Sequence, residues 1–185
     1  IAGCEGRVLA CECIGITPPL LTDVTNAEYA ASLSADIVLL NMFDVQKPVI
    51  QALPPVAPED TVRELKRLTG RVIGINLEPV DPEAAKSNAG TLWQMTGGRL
   101  ATAENARRAA DMGVDLLVLT GNPGNGVSND AIIAALREIS DAVGDRVLLA
   151  AGKMHASGVP GEGGENIMTP ADARAFMEAG ADIIL

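Results

Sequence analysis

The chain has 185 residues, of which 48% are hydrophobic and 2% aromatic, and its formal net charge is −10. This hydrophobic content supports an aliphatic core and excludes a wholly disordered chain. The acidic balance and the scarcity of aromatic rings disfavour nucleic acid as a partner, because phosphate contacts need basic surface and base stacking needs aromatic side chains.

Apolar runs typical of strands alternate with helical patterns along the chain. The predicted order is strand Val8–Ile14, helix Asn26–Leu33, strand Ile37–Phe43, helix Glu59–Leu68, strand Val72–Glu78, helix Glu104–Met112, strand Leu116–Gly121, helix Asp130–Val143, strand Val147–Lys153, helix Ala171–Ala179, and a sixth strand that opens at Asp182. Strands that alternate with helices in this way predict a parallel sheet of βαβ units.

An internal repeat supports this order. Segment Thr102–Asp115 matches segment Thr169–Asp182, and Thr25–Asp36 is a shorter relative. Each segment has a threonine suited to cap a helix, an alanine-rich helix, and an aspartate that opens an aliphatic strand. One supersecondary unit is therefore reused along the chain.

The strands start roughly thirty to forty residues apart, which matches one unit of a (β/α)8 TIM barrel of ~250 residues. An open doubly wound sheet is the competing fold, but no Gly-x-Gly-x-x-Gly motif follows the first strand. We predict an α/β fold: a single domain over residues 1–185 that is a TIM barrel truncated to about six βα units.

Cellular context follows from the apolar runs and the cysteines. The longest apolar runs are far shorter than the ~20 residues that cross a bilayer, and no basic-then-apolar leader opens the chain. Cys4, Cys11 and Cys13 are odd in number and crowded at one end, which disfavours a disulfide framework. We predict a cytoplasmic protein without a membrane partner, whose cysteines are small buried strand residues.

Polar residues follow the apolar stem of nearly every predicted strand. In a parallel barrel, alternate strand residues point inward and the carboxyl-end loops form the site. In the fifth strand, the predicted inward alternation is Val147, Leu149, Ala151, Lys153 and His155. The polar tips of the five strands are Glu12, Asn41, Asp44, Asn76, Glu78, Thr120, Asn122, Lys153 and His155. We predict that they line one shared mouth; ordinary solvated strand ends are the alternative.

Roles follow from residue chemistry. Glu12 and Glu78 are the candidate catalytic bases, Lys153 the cation for an enolate or carboxylate or a Schiff-base former, and His155 the proton donor. The candidate substrate-binding residues are Asn41, Asp44, Asn76, Thr120 and Asn122. No cofactor is firmly assigned and no metal ligand is committed, although carboxylate and amide oxygens at this mouth are compatible with Mg²⁺.

Several segments resemble a bacterial barrel family that is often filed as haloacid dehalogenase-like hydrolases. The segments are Cys11-Glu-Cys-Ile-Gly15, Leu40-Asn-Met-Phe-Asp44, Gly74-Ile-Asn-Leu-Glu-Pro79, Leu119-Thr-Gly-Asn-Pro123 and Gly152-Lys-Met-His-Ala-Ser-Gly158. Haloacid dehalogenase chemistry needs an Asp-x-Asp pair, which does not occur in this chain. The segment Ala179–Ile184 is similar to phosphate-binding metabolic barrels, and this likeness implies a phosphorylated substrate.

The leading hypothesis is a metabolic lyase, isomerase or epimerase that acts on a small, phosphorylated sugar or oxoacid. The expected partner is a small anionic molecule, and homo-oligomer formation is compatible with the sequence. The alternatives are a hydrolase, in its metal-assisted form with Glu12, Asp44 and Glu78 as ligands, and a ligand-binding barrel without catalysis.

Overall fold

A computed structural model describes residues 1–80, 95–120, 127–152 and 168–185. The strands in these ranges are β1 (Ala10–Ile14), β2 (Ile37–Asn41), β3 (Val72–Leu77), β4 (Leu116–Leu119), β5 (Leu148–Ala151) and β6 (Ile183–Ile184). The α-helices are α1 (Asn26–Ser32), α2 (Thr61–Thr69), α3 (Ala103–Met112), α4 (Asn129–Val143) and α5 (Pro170–Glu178). None of the helices in these ranges has the length and hydrophobicity needed to cross a membrane.

The six strands form one parallel sheet in chain order, from β1 to β6. Each strand therefore pairs with the next one along the chain, and a helix lies between them wherever the structure describes the connection. This is the arrangement of consecutive βα units in an α/β barrel. The predicted fold class is confirmed.

The two faces of the sheet have different neighbours. The outer face contributes Leu40, Ile75, Leu117 and Leu149 to the main core, which also contains the apolar residues of the helices. The inner face forms a smaller cluster around Ile37, Leu116, Val118 and Ala150. Because strand side chains alternate between faces, the register decides which polar residues reach the inner side.

Strand β5 corrects the predicted alternation. Leu148 pairs with Leu116, and Ala150 pairs with Val118, so Leu148 and Ala150 lie on the inner face. Leu149 and Ala151 instead belong to the helix-side core. The prediction was wrong by one residue because a strand buried on both faces is apolar throughout, and its sequence does not mark the inward positions.

The internal repeat has two structural roles. Its threonines cap helices: Thr25, Thr102 and Thr169 each accept a hydrogen bond from a backbone N–H in the first turn of α1, α3 and α5. Capping of this kind satisfies a backbone donor that the helix itself leaves unpaired.

The repeat's aspartates join neighbouring strands. The Asp36 carboxylate accepts from Leu9 N at 2.9 Å, that of Asp115 from Ile73 N at 2.9 Å, and that of Asp182 from Leu149 N at 2.8 Å. In each case the aspartate N–H also donates to the carbonyl of the same partner. We call these three residues the strand-start aspartates. They fasten β1 to β2, β3 to β4 and β5 to β6 at the amino edge of the sheet.

The cysteines only partly match the expectation. Cys11 and Cys13 are half-buried in β1, whereas Cys4 is exposed in the short 3-10 helix Ala2–Cys4. All three thiols are free. Burial raises the pKa of the Cys13 thiol from 9.0 to about 11, and the neighbouring Cys11 thiol and Glu12 carboxylate add to this rise.

Replacing Asp115 with alanine should lower the free energy of unfolding by ~1–3 kcal/mol, because the buried Ile73 N–H loses its acceptor. Asp115→Asn should cost less, since an amide oxygen can still accept while the ion pair with Lys66 is lost. Urea unfolding measures both. Asp111→Ala, which removes a largely exposed partner of Arg146, is the matched control. A loss at Asp115 as small as that at Asp111 would contradict the role of the strand-start aspartates.

Cys13 should react with iodoacetamide more slowly than the exposed Cys4 at pH 8. Only the thiolate reacts, and a thiol whose pKa is about 11 is almost wholly protonated at that pH. The Cys13 rate should rise about tenfold per pH unit until the pH approaches its pKa. Mass spectrometry of the separated peptides measures each site, and the difference should vanish in denaturant. Equal rates in the folded protein at pH 8 would refute the prediction.

Candidate functional site

Several predicted site residues share one place in the fold. Glu12 lies on β1, Asn41 ends β2, Asn76 lies on β3, and Glu78 and Thr120 directly follow β3 and β4. The registers Glu12↔Leu39 and Asn76↔Val118 place this set on the inner face at the carboxyl edge of the sheet. We call these five residues the mouth residues. Asn122, Lys153 and His155, predicted for the same mouth, lie outside the described residues.

Glu12 and Asn41 form a hydrogen-bonded pair across β1 and β2. Asn41 Nδ2 donates to Glu12 Oε1 at 2.9 Å, and Asn41 Oδ1 accepts from Met42 N at 2.8 Å. Met42 has a φ of 59°, which is uncommon for a residue other than glycine. The hydrogen bond from Met42 N thus fixes the orientation of the Asn41 amide. Asn41 Nδ2 then orients the exposed Glu12 carboxylate. Within the described part of the chain, Glu12 Oε2 has no hydrogen-bond partner.

Glu78 has a different environment. Its carboxylate forms a salt bridge with Arg99, with 2.5 Å between Oε1 and Nη2, and both side chains are almost fully buried. Its backbone N–H donates to the Arg99 carbonyl, and its carbonyl accepts from Ala101 N. Backbone and side chain together therefore hold the segment around Arg99 against the end of β3.

Asp44 stabilises a turn. Its Oδ1 accepts from Gln46 N at 2.8 Å and from Lys47 N at 3.0 Å. The same carboxylate lies directly against Gly98, where an added Cβ would be only 1.8 Å from Oδ1. Glycine is required there because any side chain would collide with this carboxylate. The turn after β2 and the segment around Arg99 are thus packed together.

Asn105 strengthens this packing from α3. Its Nδ2 donates to the carbonyls of Gly97 and Leu100, and its Oδ1 accepts from Gln46 Nε2. This buried amide links both loops to α3. Because it satisfies two loop carbonyls, it keeps the backbone beside Arg99 in one conformation.

Asn76 and Thr120 are buried, with 5% and 3% of their surfaces exposed. Asn76 Oδ1 and Thr120 Oγ1 have no hydrogen-bond partner in the described part of the chain. Buried polar atoms in native proteins nearly always have a partner in the protein or in ordered water.

The carboxylates do not form a shared metal centre in the described ranges. Among these residues, no group of three or more His, Cys, Asp or Glu side chains is placed to hold a metal ion. Glu78 is paired with Arg99, and Asp44 accepts from two backbone N–H groups. The ligand set of Glu12, Asp44 and Glu78 expected for a metal-assisted hydrolase is therefore not brought together.

Arg99 was missed by the sequence analysis. It lies in a glycine-rich stretch, where an arginine ordinarily indicates solvated surface. Its burial depends on Glu78, which precedes it by 21 residues. A glutamate at the end of an apolar strand was the available signal, because a buried carboxylate needs a cation or several donors.

Replacing Glu78 with glutamine should lower the free energy of unfolding by ~3–5 kcal/mol, because it removes the carboxylate charge that lies 2.5 Å from the buried Arg99 guanidinium. The double variant Glu78→Gln/Arg99→Met should recover part of this loss, since neither charge is then left behind. Arg67→Met breaks the exposed pair with Glu64 and should leave stability nearly unchanged. Urea unfolding measures all three variants. A Glu78→Gln variant as stable as Arg67→Met would contradict the buried-pair interpretation.

Solved structures of similar fold are α/β barrel enzymes. A protein from Burkholderia cenocepacia assigned as a phosphonomutase matches with a TM-score of 0.56 and 18% identity, over 97% of this chain and 68% of its own. DHDPS from Cyanidioschyzon merolae, with lysine bound, matches with a TM-score of 0.53 and 15% identity, over 94% of this chain and 52% of its own. D-Psicose 3-epimerase from Clostridium cellulolyticum, with D-tagatose, matches with a TM-score of 0.53 and 12% identity, over 96% of this chain and 62% of its own. These likenesses show the fold, and the chain spans about half to two thirds of the matched structures.

The search of curated proteins found no match. The comparisons do not support the resemblance to haloacid dehalogenase-like hydrolases. The matched structures include the protein assigned as a phosphonomutase and the epimerase described above. A family model matches residues 1–185 over their full extent. The chain belongs to the family described as domain of unknown function DUF7916.

Proposed function

We propose that this barrel is a metabolic enzyme of the lyase or isomerase type, epimerases included, with Glu12 as its general base. The observation that supports this is the Glu12–Asn41 pair. The Glu12 carboxylate is exposed on the inner face, one of its oxygens is held by Asn41, and the other accepts no hydrogen bond from the described residues, which leaves it available for a proton. In α/β barrels, the carboxyl edge is where active sites form.

Glu12 suits this role better than Glu78. A general base must reach the substrate proton and exist as a carboxylate with an available oxygen. Glu78 is buried and its charge is neutralised by Arg99, so its contribution to the mouth is to position the neighbouring loop.

The proposed substrate is a small sugar or oxoacid that carries an anionic group, phosphate in the first instance. Asn41 and Asn76 supply amide groups that can orient substrate oxygens. The roles of Lys153, His155 and Asn122 come from residue chemistry, since the register of β5 removes strand alternation as an argument for Lys153 and His155. Lys153 would neutralise an enolate or carboxylate, His155 would return the proton, and Asn122 would bind a substrate oxygen. By analogy of fold alone, a carbon-acid reaction on a sugar is compatible with this arrangement.

Glu12→Gln should slow proton abstraction by about 10²–10⁴-fold, because glutamine keeps the shape and cannot accept the proton. The measurement is NMR detection of deuterium incorporation from D₂O into a panel of sugars, sugar phosphates and oxoacids. Glu104→Gln, an exposed substitution on α3, should exchange at the wild-type rate.

Wild-type exchange rates in Glu12→Gln would overturn the assignment of the base. Circular dichroism and thermal unfolding of both variants would show that the comparison is between folded proteins.

A further inference from the structure

Asn76 and Thr120 are diagonal neighbours on the inner face. Asn76 is paired in register with Val118, and Thr120 stands two residues further along the neighbouring chain segment. With ~4.8 Å between neighbouring strands and ~3.3 Å per residue along them, the two Cα atoms are ~8 Å apart, so one small group can lie between the two side chains and reach both. Asn76 Oδ1 and Thr120 Oγ1, which have no hydrogen-bond partner among the described residues, are both buried.

The space below these two atoms is closed by apolar side chains. A Cβ added at Gly74, one inward position before Asn76, would lie 3.1 Å from Leu39 Cδ1 and 3.3 Å from Leu116 Cβ. Leu39 and Leu116 therefore fill the layer beneath Asn76 and offer no polar partner. A partner for Asn76 and Thr120 would therefore come from the mouth side of this layer.

We propose that Asn76 and Thr120 form a subsite for one uncharged hydroxyl group of the substrate. A hydroxyl can donate to Asn76 Oδ1 and accept from the Thr120 hydroxyl, so it satisfies both atoms at once. An ionised phosphate or carboxylate oxygen can only accept, so it could pair with the Thr120 hydroxyl but not with Asn76 Oδ1. The inference rests on the proposed function for the presence of a substrate and adds the chemistry of one of its groups.

The charges around the subsite support the inference that the group bound there is uncharged. Glu78, the next inward position after Asn76, is held by Arg99, and Glu12 adds a carboxylate to the same mouth. The anionic end of the substrate is then expected to bind away from this subsite, and the hydroxylated end within it.

The test is a binding experiment with D-tagatose, D-fructose and their 6-phosphates, measured by saturation-transfer NMR and calorimetry on the full chain. Thr120→Val removes the hydroxyl at nearly constant shape and should weaken sugar binding about tenfold. Thr120→Ser keeps the hydroxyl and should bind like the wild type. Asn76→Leu should lose binding, whereas Asn76→Asp keeps an acceptor and should retain it.

A second readout needs no ligand. Thr120→Val removes a buried hydroxyl that has no partner among the described residues, so the unfolding temperature of the ligand-free protein should stay constant or rise. A marked fall would indicate that Thr120 is a structural residue, and it would overturn the subsite. If Asn76→Leu does not fold, the difference in sugar binding between Thr120→Ser and Thr120→Val still tests the subsite.

The outcomes separate this inference from the proposed function. Sugar binding that depends on Thr120, with no deuterium exchange, would support the subsite and contradict only the proposed enzymatic activity. Exchange that depends on Glu12, with equal binding to Thr120→Val and wild type, would contradict only the subsite. Failure of all four sugars to bind, or an ordered water that they do not displace between Asn76 and Thr120, would also overturn the subsite.

Discussion

The strand-start aspartates fasten three of the five neighbouring strand pairs, and the candidate site depends on the register of those strands. Each aspartate both donates to and accepts from the backbone of the neighbouring strand at the amino edge. A slip of one residue would move every inward side chain to the helix side. Fixing the strands at one edge therefore determines which polar groups meet at the other edge, several residues away.

The two edges of the sheet have different chemistry. At the amino edge, carboxylates satisfy backbone donors and contribute to pairing between strands. At the carboxyl edge, the Glu12 carboxylate is oriented by Asn41 and left partly free, and the polar atoms of Asn76 and Thr120 remain without partners in the described residues. Stabilising contacts at one edge and unsatisfied groups at the other are the division of roles that α/β barrel enzymes show.

The buried Glu78–Arg99 pair connects the mouth to its surroundings. It joins the end of β3 to a loop that also contacts the turn at Asp44, and Asn105 ties both loops to α3. A buried ion pair of this kind stabilises little by itself, because desolvation opposes the attraction. Its effect is on position, since few other conformations of the loop would pair both charges.

Local patterns in the sequence predicted the helices, the strands, their parallel order and the threonine caps, because these depend on residues close along the chain. Strand alternation in the sequence also predicted that Glu12, Asn41, Asn76 and Thr120 share one face, since each of their strands has a distinct polar end. Only the tertiary structure decided the inward face of β5, whose residues are apolar on both sides. It also decided that Arg99 pairs with Glu78 and that Gly98 packs against Asp44, since both contacts come from a distant loop. Such partners are chosen by packing between elements, and no local period encodes them.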